Sequence, residues 1–166
     1  MTAEDLRPYR DLRLALDAAA SLQATIRHAD MKAQILLGLH GGMAVAVLQQ
    51  APMLGRLDNP ALNALAVIGA IAWLAGVAVS GWHLLATLAP RLTGPPGTNR
   101  FAFPARPPET DDIAEQRDEA WSAVSTLADI ALAKHGRVLR SLPGLCVASA
   151  SAGLIVALAA VVIITT

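Results

Sequence analysis

The sequence lacks charge over three long stretches. No Asp, Glu, Lys or Arg occurs between Lys32 and Arg56, between Asp58 and Arg91, or after Arg140. Each stretch can hold a membrane-spanning helix, which needs about 20 residues. A soluble helix of this length keeps a polar face because water wets one side of it, and the second and third stretches have no such face. The missing charge therefore excludes an ordinary soluble protein.

Cysteine and catalytic motifs are also scarce. The lone Cys146 falls in the third uncharged stretch, so there is no disulfide framework. The sequence contains no Walker or G-x-G-x-x-G loop, no H-E-x-x-H motif and no G-x-S-x-G motif. We therefore expect neither an enzyme nor a cofactor, a metal site or a nucleic-acid partner.

What is present is apolar and favours helix. The mean hydropathy is +0.47, and 16% of the residues are charged, against about a quarter in a soluble domain. We predict an all-α integral membrane protein that forms a single membrane domain over residues 1–166. Its three transmembrane helices are predicted over residues 33–53, 61–88 and 142–164.

Two charged segments adjoin the spans, over residues 4–32 and 110–140. In each, apolar side chains recur at steps of three and four, which is typical of an amphipathic helix that needs a partner. No glycine interrupts the chain between Pro8 and Leu37, so we expect one helix to run from the first segment into span one. The two apolar stripes are natural partners, and their positions are Tyr9, Leu12, Leu16, Ala19, Leu22 and Ile26, and Trp121, Val124, Ala128, Ala131, His135 and Val138.

The distribution of basic residues predicts the orientation. Of the 13 Lys and Arg residues, all except Arg56 lie in the N-terminal segment or between spans two and three. Because positively charged loops are retained in the cytoplasm, we predict a multi-pass protein of the inner cell membrane. Its N-terminus is cytoplasmic and its C-terminus is outside. Both amphipathic helices and a proline-rich loop, residues 90–109, are then cytoplasmic.

Two histidines interrupt the apolar spans. His40 and His83 each lie eight residues from a bordering charge, so both are roughly 12 Å from the cytoplasmic boundary. An ionisable residue in a span suggests a proton-sensitive pair, a pore lining or part of a metal site. The structural alternative is a neutral histidine that is hydrogen-bonded within the bundle. A metal site would need more ligands than these two.

Small residues predict where helices approach closely. Gly38 and Gly42 form a G-x-x-x-G step in span one, and Ala72 and Gly76 belong to a small-residue stripe in span two. Such residues let helix backbones pack together in lipid. The contact is either within one chain or between copies, and we expect a homo-oligomer.

A polar and aromatic cluster beside the spans is a candidate binding site. Cations suit a phosphate, polar groups suit the edge of a base, and aromatic rings suit stacking. Alternatively, the basic residues are topological signals or contact anionic lipids. The candidate residues are Lys32, Arg91, Asn99, Arg100, Phe103, Lys134 and Arg137.

Four short motifs occur in a characteristic order. Residues 30–37 follow the pattern D-x-K-A-x-x-L-L, and residues 88–92 contain a Pro-Arg step at the exit from span two. Residues 99–103 combine an Asn with aromatics, and residues 133–140 carry Lys and Arg ahead of span three. In order and spacing these motifs resemble the Pycsar transmembrane effector family of bacterial anti-phage proteins.

The resemblance implies a defence effector paired with a pyrimidine nucleotide cyclase. Infection would trigger synthesis of cyclic CMP or cyclic UMP, the cytoplasmic helices would bind it, and the spans would impair the membrane. Growth arrest or cell death would follow, as in abortive infection. The residues by themselves leave two alternatives open: a small membrane scaffold that docks a partner protein, and a holin-like pore gated through His40 and His83.

Overall fold

The computed structural model describes residues 6–89, 99, 101 and 112–165. These residues form three α-helices and no strand. The helices are α1 (Arg7–Leu54), α2 (Pro60–Leu88) and α3 (Ile113–Thr165). All three are long and apolar enough to cross a membrane, which confirms the predicted all-α, three-span architecture.

Helix α1 continues from the charged N-terminal segment through the first span, as predicted. It begins at Arg7, and Pro8 is tolerated because its missing N–H would have no partner in a first turn. Helix α3 is likewise continuous and passes through Pro143. Two of the three helices are therefore far longer than a membrane span requires.

Side-chain caps fix where α2 and α3 begin. The Asn59 carboxamide oxygen accepts a hydrogen bond from the Ala61 N–H (2.9 Å), and Pro60 occupies the first helical position, as predicted. At α3, an Asp112 carboxylate oxygen accepts from the Ala114 N–H (3.0 Å). Each cap satisfies an N–H group that has no partner within its own helix.

The chain divides into two compact units. Unit 1 comprises residues 1–30 and 89–136, and unit 2 comprises residues 31–88 and 137–166. Helices α1 and α3 each contribute residues to both units, whereas α2 belongs to unit 2 alone.

The core of unit 2 draws on all three helices. Trp73 of α2 packs with Ala148, Ala152 and Ile155 of α3, and Met43 of α1 lies against this cluster. The large Trp73 and Ile155 side chains pack beside the two small alanines, which lets the helices approach each other.

Helices α2 and α3 approach closely at Gly76 and Gly144 in unit 2. A Cβ atom on Gly76 would lie 2.7 Å from the Gly144 carbonyl oxygen and 2.7 Å from the Ala148 nitrogen. A Cβ atom on Gly144 would lie 2.9 Å from the Gly76 oxygen. Only glycine fits at these positions, because any side chain would meet backbone that cannot give way.

The other predicted packing residues have looser surroundings. A Cβ atom on Gly38 or Gly42 would meet no heavy atom within 4 Å among the described residues, and Ala72 is half-buried. The G-x-x-x-G step of α1 therefore makes no close helix contact within the described part of the chain. A contact between copies is the alternative that remains.

The buried face of unit 1 is lined with alanine. Ala15 and Ala29 of α1 and Ala120, Ala123 and Ala131 of α3 are all buried. Small side chains on facing surfaces let two helices pack closely.

The predicted contact stripes were partly wrong. Tyr9, Leu16 and Trp121 are exposed, as are Ala128 and His135. On α3, Ala131 and Val138 are buried as predicted, whereas Ala120 and Lys134 are buried in place of Trp121 and His135. The pattern favoured the large Trp121, but the packed surface uses the alanine before it.

Candidate functional site

The candidate binding residues fall into two groups. Lys32, Asn99, Lys134 and Arg137 belong to the described structure, whereas Arg91, Arg100 and Phe103 lie outside the described residues. Each of the four described residues has a definite environment.

Lys134 forms an ion pair within unit 1. Its side chain, only 8% exposed, donates a hydrogen bond to a carboxylate oxygen of Asp30, whose side chain is 30% exposed. The pair joins α3 to α1. A buried ammonium group needs such a partner, because the loss of hydration is otherwise uncompensated. The charge predicted to bind phosphate is therefore neutralised by the protein itself.

Arg137 bonds to the end of α2 within unit 2. Its guanidinium donates to the carbonyl oxygen of Ala86. In a continuing helix this carbonyl would accept from the N–H of residue 90, but residue 90 is proline and has none. Arg137 thus supplies the missing donor and places positive charge at the negative end of the α2 dipole. The Pro90 position is a sequence signal from which this role was predictable.

Asn99 is 5% exposed and holds a short segment of unit 1 against α3. Its carboxamide nitrogen donates to the Glu119 carbonyl (2.8 Å), and its carboxamide oxygen accepts from the Phe101 N–H (2.8 Å). Asn99 thus fixes the position of Phe101, which is 38% exposed. Sequence analysis named Phe103 among the candidate residues, whereas Phe101 is the aromatic residue that the structure describes here.

Lys32 is exposed on α1 in unit 2 and has no ion-pair partner among the described residues. It was predicted together with Lys134 and Arg137 as a source of positive charge. Of these three cations, Lys32 alone is left available to a ligand.

The histidines of the spans have different environments within unit 2. His40 is 6% exposed, and its Nδ1 lies 2.8 Å from the Leu36 carbonyl oxygen, to which it donates. Its Nε2 lies 2.5 Å from the Ser80 hydroxyl oxygen. The Ser80 oxygen is also 2.7 Å from the Gly76 carbonyl. This geometry fits a histidine hydrogen-bonded within the bundle.

His83 does not join this network. Its ring is half-buried and shares no hydrogen bond with His40. In the described ranges no group of three or more His, Cys, Asp or Glu side chains is placed to hold a metal ion. The two histidines therefore do not form a common site in the described protein.

Comparison with known families gives one match. The model of the Pycsar effector protein domain matches residues 14–165. The match covers all four sequence motifs and all described residues of both units except residues 6–13. Neither the curated proteins nor the solved structures that were compared gave a match.

Proposed function

Because this chain belongs to the Pycsar effector family, whose members are anti-phage membrane effectors, we propose that it responds to cyclic CMP or cyclic UMP by impairing the membrane it spans. The family match confirms the resemblance found in the four motifs. The nucleotide, the damage and the resulting growth arrest or cell death are the parts that we propose.

The observation that carries the proposal is the continuity of two helices. Helices α1 and α3 run without a break from unit 1, which contains the charged segments, into unit 2, which contains the apolar spans. A ligand bound to unit 1 therefore acts on the same helices that cross the bilayer. It can shift their arrangement only by the difference between its affinities for two states.

The ion pair between Asp30 and Lys134 is the contact that we expect the ligand to change. A cyclic mononucleotide carries one negative charge, and a phosphate competes with a carboxylate for an ammonium group. A nucleotide phosphate bound near this pair would compete for Lys134 and release Asp30, the last residue of unit 1 on α1. Lys32, Arg91, Asn99, Arg100, Phe103 and Arg137 complete the set of residues that we propose for the ligand or its surroundings.

The membrane arrangement that we propose follows the basic residues. Unit 1 is cytoplasmic, the N-terminus is inside and the C-terminus is outside. The effector performs no catalysis, assembles as a homo-oligomer and is encoded with a nucleotide cyclase that supplies its ligand. Gly38 and Gly42 are the positions where copies associate, since they meet no neighbour within the described chain.

Thermal unfolding of the detergent-solubilised protein tests the proposed function. Saturating cyclic CMP or cyclic UMP should raise the melting temperature, because a ligand that binds only the folded state stabilises it. The linear 5′-monophosphates keep the base and carry up to one further negative charge; they serve as controls and should have little effect. No shift with either cyclic nucleotide would reject the proposal.

Expression in cells separates the alternatives. The proposed effector is toxic only when a pyrimidine cyclase is co-expressed. A scaffold would be harmless with or without the cyclase, and a holin-like pore would be toxic without it. The contacts of His40 with Leu36 and Ser80 do not favour the pore, because they occupy both ring nitrogens.

A further inference from the structure

A small cavity in unit 1 has one aromatic wall, one amide and an otherwise apolar lining. Its volume is about 170 Å³. Phe101 forms the aromatic wall, and Gln23 of α1 supplies the amide. The remaining lining residues are Leu16, Ala19, Ala20, Ala120, Ala123 and Leu127. The alanines from α1 and α3 leave the space open, because larger side chains would fill it.

The aromatic wall is held in place by a buried polar contact. The Asn99 carboxamide accepts a hydrogen bond from the Phe101 N–H and donates one to the Glu119 carbonyl of α3. It therefore links the Phe101 backbone to α3. A phenylalanine whose backbone is held in place favours stacking, since less conformational entropy is lost when a flat ligand binds against its ring. The apolar surfaces favour a planar aromatic ring as the occupant.

The polar groups near the cavity suit a heterocycle with an anionic substituent. The Gln23 amide both donates and accepts hydrogen bonds, as the edge of a nucleobase does. Arg27 follows Gln23 by four residues on α1, so the two side chains are neighbours on the helix surface. Arg27 is exposed and has no ion-pair partner within the described ranges.

The size of the cavity limits the occupant. Pockets that enclose a whole drug-sized ligand begin at about 300 Å³, roughly twice the volume found here. This cavity therefore holds one ring and leaves the rest of a ligand outside. We propose that it takes the single-ring base of a nucleotide, with the base against Phe101, its polar edge on Gln23 and the phosphate near Arg27.

This inference rests on the proposed function and names where the nucleotide binds. It shifts the site away from residues that the fold uses, such as Arg137, and towards Gln23 and Phe101. It also accounts for the role of Asn99, which positions Phe101 and leaves base contact to other residues.

A cavity-filling variant tests the site. Ala20→Leu blocks the cavity from an exposed lining position, and Ala128→Leu makes the same change at an exposed alanine of α3 outside the lining. Calorimetric titration with cyclic CMP and cyclic UMP should give at least about a tenfold loss of affinity for Ala20→Leu, because base stacking is lost. Ala128→Leu should bind within about twofold of the parent protein.

A second variant tests the base edge without changing size. Gln23→Glu keeps the acceptor but removes the N–H donor, so it can still accept from the cytosine amine and cannot donate to the uracil O4. The added negative charge weakens both ligands alike. The ratio of cyclic CMP to cyclic UMP affinity should therefore rise several-fold.

The outcomes separate the two proposals. If the parent protein binds a cyclic nucleotide, and both Ala20→Leu and Gln23→Glu bind it with unchanged affinity and unchanged preference between cyclic CMP and cyclic UMP, the cavity is not the base site. The proposed function would still stand. If the parent protein binds neither nucleotide, the proposed function fails and this site fails with it. Thermal melting without ligand shows whether Ala20→Leu has misfolded. If it has, Gln23→Glu decides whether the cavity is the base site, because residue 23 is exposed and the substitution should leave the fold intact.

Discussion

The two units hold their helices together by different contacts. In unit 1 a charged pair, Asp30 and Lys134, joins α1 to α3. The described part of unit 2 contains no ion pair, and its spans are joined by the close approach of Gly76 to Gly144 and by the hydrogen bond between His40 and Ser80. The difference follows from what surrounds each unit. A charged pair is tolerated where one partner reaches water, as Asp30 does, whereas contacts between helices inside lipid favour small residues and uncharged hydrogen-bonding groups.

This contrast has a consequence for regulation. An ion pair can be broken by another ion, so the contact in unit 1 is open to competition from a charged ligand. The backbone contact in unit 2 has no competitor of that kind. The contact that a ligand could break joins α1 to α3 in unit 1, whereas the contact that resists competition joins α2 to α3 in unit 2.

The largest expected effect comes from removing one member of the charged pair. Lys134→Met leaves Asp30 without its partner and should lower the free energy of unfolding by about 3 kcal/mol. This value is at the lower end of the range for breaking a buried ion pair, because Asp30 is partly exposed. Denaturant titration in detergent measures the change. The double variant Asp30→Leu with Lys134→Met should recover most of the loss.

A matched control is the exposed pair between Arg117 and Asp118, whose side chains are 33% and 69% exposed. Arg117→Met should cost less than about 1 kcal/mol, because solvent screens an exposed pair. Equal losses for Lys134→Met and Arg117→Met would mean that burial gives the pair of Asp30 and Lys134 no special weight in unit 1.

The second test concerns the glycines. Gly76→Ala places a methyl group against the backbone of Gly144 and Ala148, and should destabilise the protein by about 1–3 kcal/mol through overpacking. Within one chain, Gly42→Ala meets no neighbour among the described residues and should be neutral or stabilising by up to about 1 kcal/mol, because alanine favours helix; a loss of stability would point to the proposed contact between copies. Thermal melting gives both values.

The same pair of variants sharpens the question of assembly. If Gly42→Ala changes the oligomeric state measured by light scattering in detergent, the G-x-x-x-G step of α1 is a contact between copies. An unchanged state would remove the glycine contact from the proposed assembly. Gly76→Ala should not change the number of copies, since its neighbours lie in its own chain.

The third test asks whether a cation near the end of α2 serves the fold or the ligand. Arg137→Met leaves the Ala86 carbonyl without a donor and should cost about 1–3 kcal/mol without any nucleotide present. Arg140→Met, at an exposed position one turn along α3, should cost much less. If Arg137→Met melts like the parent protein, the capping role is wrong.

The smallest effect is expected for the neutral contact in unit 2. Ser80→Ala removes the hydrogen bond to His40, and such bonds within membrane proteins average about 0.6 kcal/mol. Cys146→Ala, at an exposed site of α3, serves as the control. A loss for Ser80→Ala as large as that for Lys134→Met would mean that the lipid-facing unit depends on polar contacts after all.

The architecture was largely predictable, because charge and length decide it. The three uncharged stretches predicted the three apolar helices, and the lack of glycine between Pro8 and Leu37 predicted that α1 is continuous. The start of α2 followed from Asn59 and Pro60, a cap and a first-turn proline. These features are local, so the sequence states them directly.

The candidate site was less predictable, because its residues meet across the fold. The partnership of Lys134 with Asp30 spans 104 positions and depends on a helix face that was misjudged by one residue. Gln23 and Phe101 come together only once α1 and α3 are packed. The alanine-rich face gave no signal, since alanine is common on every side of these helices.

Reconstitution into liposomes tests the central proposal most directly. The purified protein is inserted into vesicles loaded with a self-quenching dye, and cyclic CMP or cyclic UMP is added on both sides of the bilayer. We expect dye release with a cyclic pyrimidine nucleotide and an intact membrane without one. Release that is independent of nucleotide, or intact vesicles while the nucleotide is bound, would contradict a nucleotide-gated membrane effector.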